Sequence, residues 1–194
     1  MDLDGLQDIL VVNGHIDDTI SKVQARVTYA EAPHLFRNQG DGQFRDEAPA
    51  MGGSFAQPKV GRGAAFGDID GDGDPDVLIT SNSGPAFLYR NDVANGHRSV
   101  RLTLRGTRSN RDAIGARVRV FAGDQKYWRM VKTGSSYLSQ SELPLTFGLG
   151  PRERAERVIV EWPSGAKEEI TNLAAGQSYE ITEGKGVTGA KALH

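Results

Sequence analysis

The sequence contains no cysteine. That excludes a disulfide framework, a thiolate metal site and a cysteine nucleophile, so any bound metal must be held by oxygen or imidazole. Long apolar runs are also missing. None approaches the ~20 residues that span a bilayer, and Met1-Asp2-Leu3-Asp4 carries neither the basic nor the apolar region of a signal peptide. Phenylalanine is scarce, at seven, against 24 glycines. That balance favours many short strands joined by tight turns over long helices, and the chain reads as all-β. Its 194 residues suffice for one large or two small domains, each with its own core.

The net charge of −2 conceals an asymmetry. Residues 1–96 hold 15 acids and 7 bases, whereas residues 97–194 hold 10 acids and 16 bases, so the halves carry −8 and +6. The split marks two units meeting near Asn95-Gly96. In the acidic half, short apolar runs bounded by Gly, Asn, Asp or Pro read as strands over residues 8–12, 34–38, 43–46, 63–67, 77–81 and 87–91. Residues 17–33 show no clear period, and 20–27 stay open between a short helix and a polar excursion.

The acidic half is also an internal repeat. Asp2-x-Asp4-Gly5-x-x-Asp8-Ile9-Leu10 aligns with Asp70-x-Asp72-Gly73-x-x-Asp76-Val77-Leu78, placing Asp8 and Asp76 68 positions apart, and Leu35-Phe36-Arg37-Asn38 aligns with Leu88-Tyr89-Arg90-Asn91. Strand sets repeating at this length suggest blades of a β-propeller. About one and a half to two blades are present, too few to close a ring. From Ser99 onward the pattern turns to the alternation of a β-sandwich: Val100-x-Leu102-x-Leu104, Val118-x-Val120, Val158-x-Val160-x-Trp162, Ile170 and Tyr179-x-Ile181. The reading is therefore blades over 1–96, a sandwich over 97–183 and a flexible, glycine-rich tail over 184–194.

The densest chemical signal is Asp68-Ile69-Asp70-Gly71-Asp72-Gly73-Asp74-Pro75-Asp76, five carboxylates in nine residues. Crowding of that kind is electrostatically costly without a cation. Hard oxygen donors at alternate positions, with a glycine for the turn, suit Ca²⁺, which takes about 6 to 8 oxygens at about 2.3–2.6 Å. The expected donors are the side chains of Asp68, Asp70, Asp72 and Asp76 and the backbone carbonyl of Asp74. Mg²⁺ suits the loop less, since it keeps several waters in a rigid octahedron. An EF-hand is excluded, because its twelfth position falls on Ile79 within Val77-Leu78-Ile79-Thr80 and a bidentate Glu is required there. The earlier copy keeps Asp2, Asp4 and Asp8 but has no residue equivalent to Asp68, so it is expected to be a weaker second site or an empty one.

The stretch Phe66 to Asp76 resembles the FG-GAP (VCBS-type) repeat of integrin-like propellers, and Leu35-Phe36-Arg37-Asn38-Gln39-Gly40-Asp41-Gly42-Gln43-Phe44 resembles the strand pair closing such a blade. The second half resembles the ASPIC/UnbV domain. The resemblance lies in Ser109-Asn110-Arg111-Asp112-Ala113-Ile114-Gly115-Ala116, Ser136-Tyr137-Leu138-Ser139-Gln140, Phe147-Gly148-Leu149-Gly150 and Glu161-Trp162-Pro163-Ser164-Gly165. Ala113 departs from the pattern where a glycine is usual, and Thr146 where histidine often stands. The resemblance implies calcium in the aspartate loop, a secreted, extracellular or periplasmic location, and a role in recognition or adhesion with an unidentified protein or glycan ligand. The uncovered edges of a partial propeller further suggest a homodimer or a packed blade–sandwich interface.

A basic stretch, Arg98, Arg101, Arg105, Arg108, Arg111, Arg117 and Arg119, is opposed only by Asp112. Alternation puts Arg117 and Arg119 on one strand face, where with Arg111 they form a candidate anion site for glycan or RNA. The competing reading makes these arginines a solvated sheet face, or partners of the acidic half. No nucleic-acid motif accompanies them. The four histidines show no shared-site spacing, and the serines lack a nucleophile elbow. The expectation is a non-catalytic module, with an accessory part of a polysaccharide-processing enzyme as the alternative. Trp128, Tyr137 and Trp162 read as core or interface anchors.

Overall fold

The structure is a computed structural model that describes residues 1–93 and 95–194. Its first half is built from two three-stranded antiparallel sheets. One is ordered β1-β2-β3, from Ile9–Val11, His34–Gly40 and Gln43–Asp46; the other is ordered β4-β5-β6, from Gly61–Gly67, Asp76–Ser81 and Phe87–Tyr89. The repeat explains why each has three strands where a full blade has four. Asp8 matches Asp76 and Asn38 matches Asn91, so β1 corresponds to β5 and β2 to β6. Strand β3 thus has no counterpart in the second sheet, and β4 has none in the first. The two sheets are overlapping windows on one four-stranded pattern.

The segment left open by its period holds a single 3₁₀ turn at Ile20–Lys22, and a four-residue helix, α1 at Ala48–Met51, follows β3. The apolar cluster of this half is small: Leu35, Ala48, Phe55, Val77 and Ile79. Beside it the buried Lys59 ammonium donates to the carbonyls of Ser54, Phe55 and Gln57 at 3.1, 2.9 and 2.6 Å, and burial pushes its pKa down.

The second half is a sandwich of two four-stranded sheets. Its strands are β7 (Arg98–Arg105), β8 (Arg117–Ala122), β9 (Gln125–Met130), β10 (Leu145–Gly150), β11 (Arg154–Glu161), β12 (Lys167–Ala174), β13 (Gln177–Thr182) and β14 (Gly186–Ala192). The sheets are ordered β10-β7-β13-β14 and β12-β11-β8-β9, with β13 and β7 parallel and the remaining pairs antiparallel. Alternation selects the core: Val100, Leu102, Val118, Val120, Val158, Val160 and Ile181 are fully buried, while Arg117, Arg119 and Arg157 project from the other face. Trp162 is buried here as expected, but Trp128 and Tyr137 are 63% and 65% exposed. Trp128 lies on β9, an edge strand, where one flank of the ring has no neighbouring strand to cover it.

The tail expected over 184–194 is instead a strand, because Gly184 and Gly186 adopt the positive φ of a tight hairpin and send β14 back along β13. Its end reaches the blades, where the His194 amide donates to the Gly71 carbonyl at 3.0 Å. Other polar contacts join the halves. Ser99 Oγ donates to the Gly73 carbonyl at 3.1 Å, and the Phe66 amide donates to Ser141 Oγ at 3.0 Å. The Glu142 amide donates to the Phe66 carbonyl at 3.0 Å, and that of Gly150 to the Leu3 carbonyl at 2.8 Å. Gly148 is required at this junction, since a Cβ there would lie 2.6 Å from the Leu3 carbonyl oxygen.

Candidate metal centre

The aspartate loop is the turn between β4 and β5. Carboxylate oxygens of Asp68, Asp70 and Asp76 lie within 4.8 Å of one another, and a second trio joins Asp70, Asp72 and Asp92. Two oxygens on opposite sides of one Ca²⁺ stand at most about 5 Å apart, so the first trio fits a shared ion of that size and hardness. The loop's own backbone holds several of these carboxylates in place. Asp68 Oδ1 accepts from the Gly71 amide at 2.8 Å, Asp72 Oδ1 from Asp74 at 2.8 Å, and Asp76 Oδ2 from Ile69 at 2.8 Å. Gly71 and Gly73 take φ of 82° and 92°, which lets the chain turn back on itself.

Burial and mutual repulsion both bear on the carboxylates of the loop. Burial, followed by the charge of Asp72, pushes the Asp74 carboxyl up to about 6. Asp72 is raised as well, by burial and by its aspartate neighbours. The Asp74 side chain is buried and belongs to neither trio.

A polar frame around the loop recurs in both sheets. Asp76 Oδ1 accepts from the Asn91 amide at 2.8 Å, and Asp8 Oδ1 from the Asn38 amide at 2.9 Å. Arg90 lies 3.7 Å from Asp70, and Arg37 pairs with Asp2 at 2.6 Å. The earlier copy differs at the centre. Among the described residues Asp2, Asp4 and Asp8 do not form a converging trio, and Asp4 Oδ1 instead accepts from the Leu6 amide at 2.8 Å.

Several participants escape sequence reasoning. Arg101 of β7 reaches across to Asp68 at 3.2 Å while gripping both oxygens of Glu142, so one guanidinium ties the loop to the sandwich. Part of the basic stretch therefore pairs with the acidic half. Asp92 carries a signal that could have been found, since it directly follows the repeated Arg90-Asn91. Of the three candidate anion-binding arginines, Arg117 and Arg119 share the outer face of β8, whereas the exposed Arg111 sits in the preceding loop. The motif serines have a structural task. Ser109 and Ser164 both donate to the buried Glu183, joined by the amides of Thr107, Arg108 and Ser109. Burial alone would raise the Glu183 pKa; those hydrogen bonds outweigh it and hold the carboxyl at about 2. Ala113, where a glycine is usual, has φ of 54° and is fully buried, which explains the preference for glycine there.

Fold and site together define a blade segment with an aspartate-rich loop, joined to a β-sandwich. Residues 1–79 match the family described as FG-GAP-like repeat and residues 106–188 match ASPIC and UnbV, so the chain carries an FG-GAP-like repeat region followed by an ASPIC and UnbV domain. Cartilage acidic protein 1 of Mus musculus is 31% identical over 134 residues, covering 66% of this chain and 20% of the relative. The chain thus spans about a fifth of that relative's length. No helix among the described residues is long and apolar enough to cross a membrane.

Proposed function

We infer that this chain is a non-catalytic, calcium-binding recognition or adhesion module that works outside the cytoplasm. The observation that carries the reading is the convergence of Asp68, Asp70 and Asp76 to within 4.8 Å, on a loop whose backbone amides already hold Asp68 and Asp76. Side chains of Asp68, Asp70, Asp72 and Asp76, with the Asp74 carbonyl, would hold the ion. When bound, calcium cancels the repulsion among these carboxylates and cross-links the turn between β4 and β5. Because Asp68 also pairs with Arg101, the same ion would firm the seam between blades and sandwich. That is the work of a structural ion, and it leaves the surfaces free to recognise a ligand.

Thermal unfolding followed with Ca²⁺, with Mg²⁺ and with chelator tests the proposal. A hundredfold excess of Ca²⁺ over its Kd should stabilise the chain by about 2.7 kcal/mol, raising Tm by roughly 5–10 °C. Mg²⁺ should do less, and Asp70→Asn, at an exposed loop position, should abolish the shift while leaving the chelated protein folded. Equal Tm values with Ca²⁺ and with chelator would refute it.

A further inference from the structure

The outer face of the β12-β11-β8-β9 sheet takes no part in the metal centre, and strand register arranges it in three rows. These are Lys167, Glu161, Arg117 and Met130; then Glu169, Ile159, Arg119 and Trp128; then Thr171, Arg157, Phe121 and Lys126. Arg117, Arg119, Lys126, Trp128, Met130 and Glu161 line an open groove of about 480 Å³. A second hollow, of about 380 Å³, opens over the free edge of β9, lined among others by Arg129, Lys132, Ser135 and Ser141. Trp128 and Met130 line both, so the exposed indole stands on the ridge between two adjoining basic hollows.

Their charge is largely unanswered. Glu161 is paired with Arg119, and Glu142 with Arg101. Among the described residues Arg117, Lys126, Arg129 and Lys132 have no carboxylate partner. Arg129 is the most telling of these. Half-buried, it donates through Nε to the Thr146 carbonyl at 2.9 Å and lies 5.5 Å from the Phe147 ring centre, and among the described residues no carboxylate forms an ion pair with it, Glu142 of the same hollow being held by Arg101. A cation withdrawn from water without a counter-charge is costly, and an incoming anion offsets that cost.

We propose that these two hollows and the Trp128 ridge form a binding track for an acidic polysaccharide, with carboxylate or sulfate groups seated on either side of a sugar ring stacked on Trp128. The inference rests on the reading of the chain as a recognition module and names its ligand class. The chemistry discriminates among polyanions. A pyranose offers an apolar C–H face to the electron-rich indole and hydroxyls that both donate and accept. The track supplies acceptors as well as cations, through Glu161, Ser135 and Ser141. A single-stranded nucleic acid needs several stacking rings in succession. Here the neighbouring ring, Phe121, lies under Arg157 at 4.1 Å, which leaves Trp128 alone.

Calorimetry on the whole chain in saturating Ca²⁺, with oligosaccharides of heparin and hyaluronan, a neutral cello-oligosaccharide and a single-stranded oligonucleotide, tests the proposal. Binding of one or both acidic glycans is expected, weakening steeply with salt, and the neutral glycan should not bind. Heparin alone would identify sulfate as the seated group, and both would show that carboxylate suffices. Trp128→Ala should weaken binding roughly tenfold without moving Tm, since the ring is exposed. Arg117→Gln with Lys126→Gln should weaken it and flatten the salt dependence. The proposal falls if no acidic glycan binds, if Trp128→Ala is without effect, or if the oligonucleotide binds as tightly. It also falls if sedimentation shows Trp128→Ala turning a dimer into a monomer, which would make the face an interface between copies. Each of these failures leaves the calcium-dependent Tm shift intact, so the two readings fail separately.

Discussion

Among the described residues the sandwich half gathers twenty buried apolar residues into one cluster, whereas the blade cluster holds five, and Lys59, Asp74, Asp76 and Asn91 are buried in the same half. The blades also leave Leu78, Leu88 and Ile69 exposed at 39%, 58% and 57%. One half is therefore held by apolar area and the other by directed polar bonds, an acidic loop and its neighbour. The contrast accounts for the proposed ion site lying in the blades. A core of directed polar groups responds to an ion, and a core of packed valines does not.

The largest effect should separate the two cores. Phe147→Ala in the sandwich should cost about 3–5 kcal/mol, while Leu88→Ala on the open blade face should cost less than about 1 kcal/mol. Denaturant unfolding of the two variants measures both, and equal losses would break the comparison. A smaller effect should show that the sandwich, too, relies on one polar anchor. Glu183→Gln would leave part of the Thr107–Ser109 amide cluster poorly satisfied and should cost about 2 kcal/mol. Its pH signature has a definite sign. The carboxyl is lowered to about 2 in the fold from about 4.5 unfolded, so its contribution is complete above pH ~4.5 and is lost as pH falls toward 2. Acid unfolding should therefore be shallower in Glu183→Gln over that window, and unchanged slopes would remove the anchor role.

Much of this arrangement is legible in the sequence because it is local. The third strand, Gln43–Asp46, begins and ends where its turn signals place it, and the loop aspartates follow from spacing alone. The repeat also carries information beyond the ligands, since Arg37 and Asn38 foreshadow the roles of Arg90 and Asn91. What stays illegible depends on tertiary placement. Trp128 belongs to a strand whose alternation matches any half-buried sheet, and only its position at the sheet edge leaves the ring exposed. Strand β14 looks like a loose end because its glycines signal a turn and flexibility alike. The Arg101–Asp68 contact joins residues 33 positions apart in different halves, and no periodicity announces it.

The most direct measurement is a high-resolution crystal structure of the chain grown in millimolar Ca²⁺, examined at the Asp68–Asp76 turn. One ion is expected there, bound by the Asp68, Asp70, Asp72 and Asp76 carboxylates and the Asp74 carbonyl at about 2.3–2.6 Å. A turn free of metal under those conditions, with the carboxylates spread into solvent, would contradict that expectation.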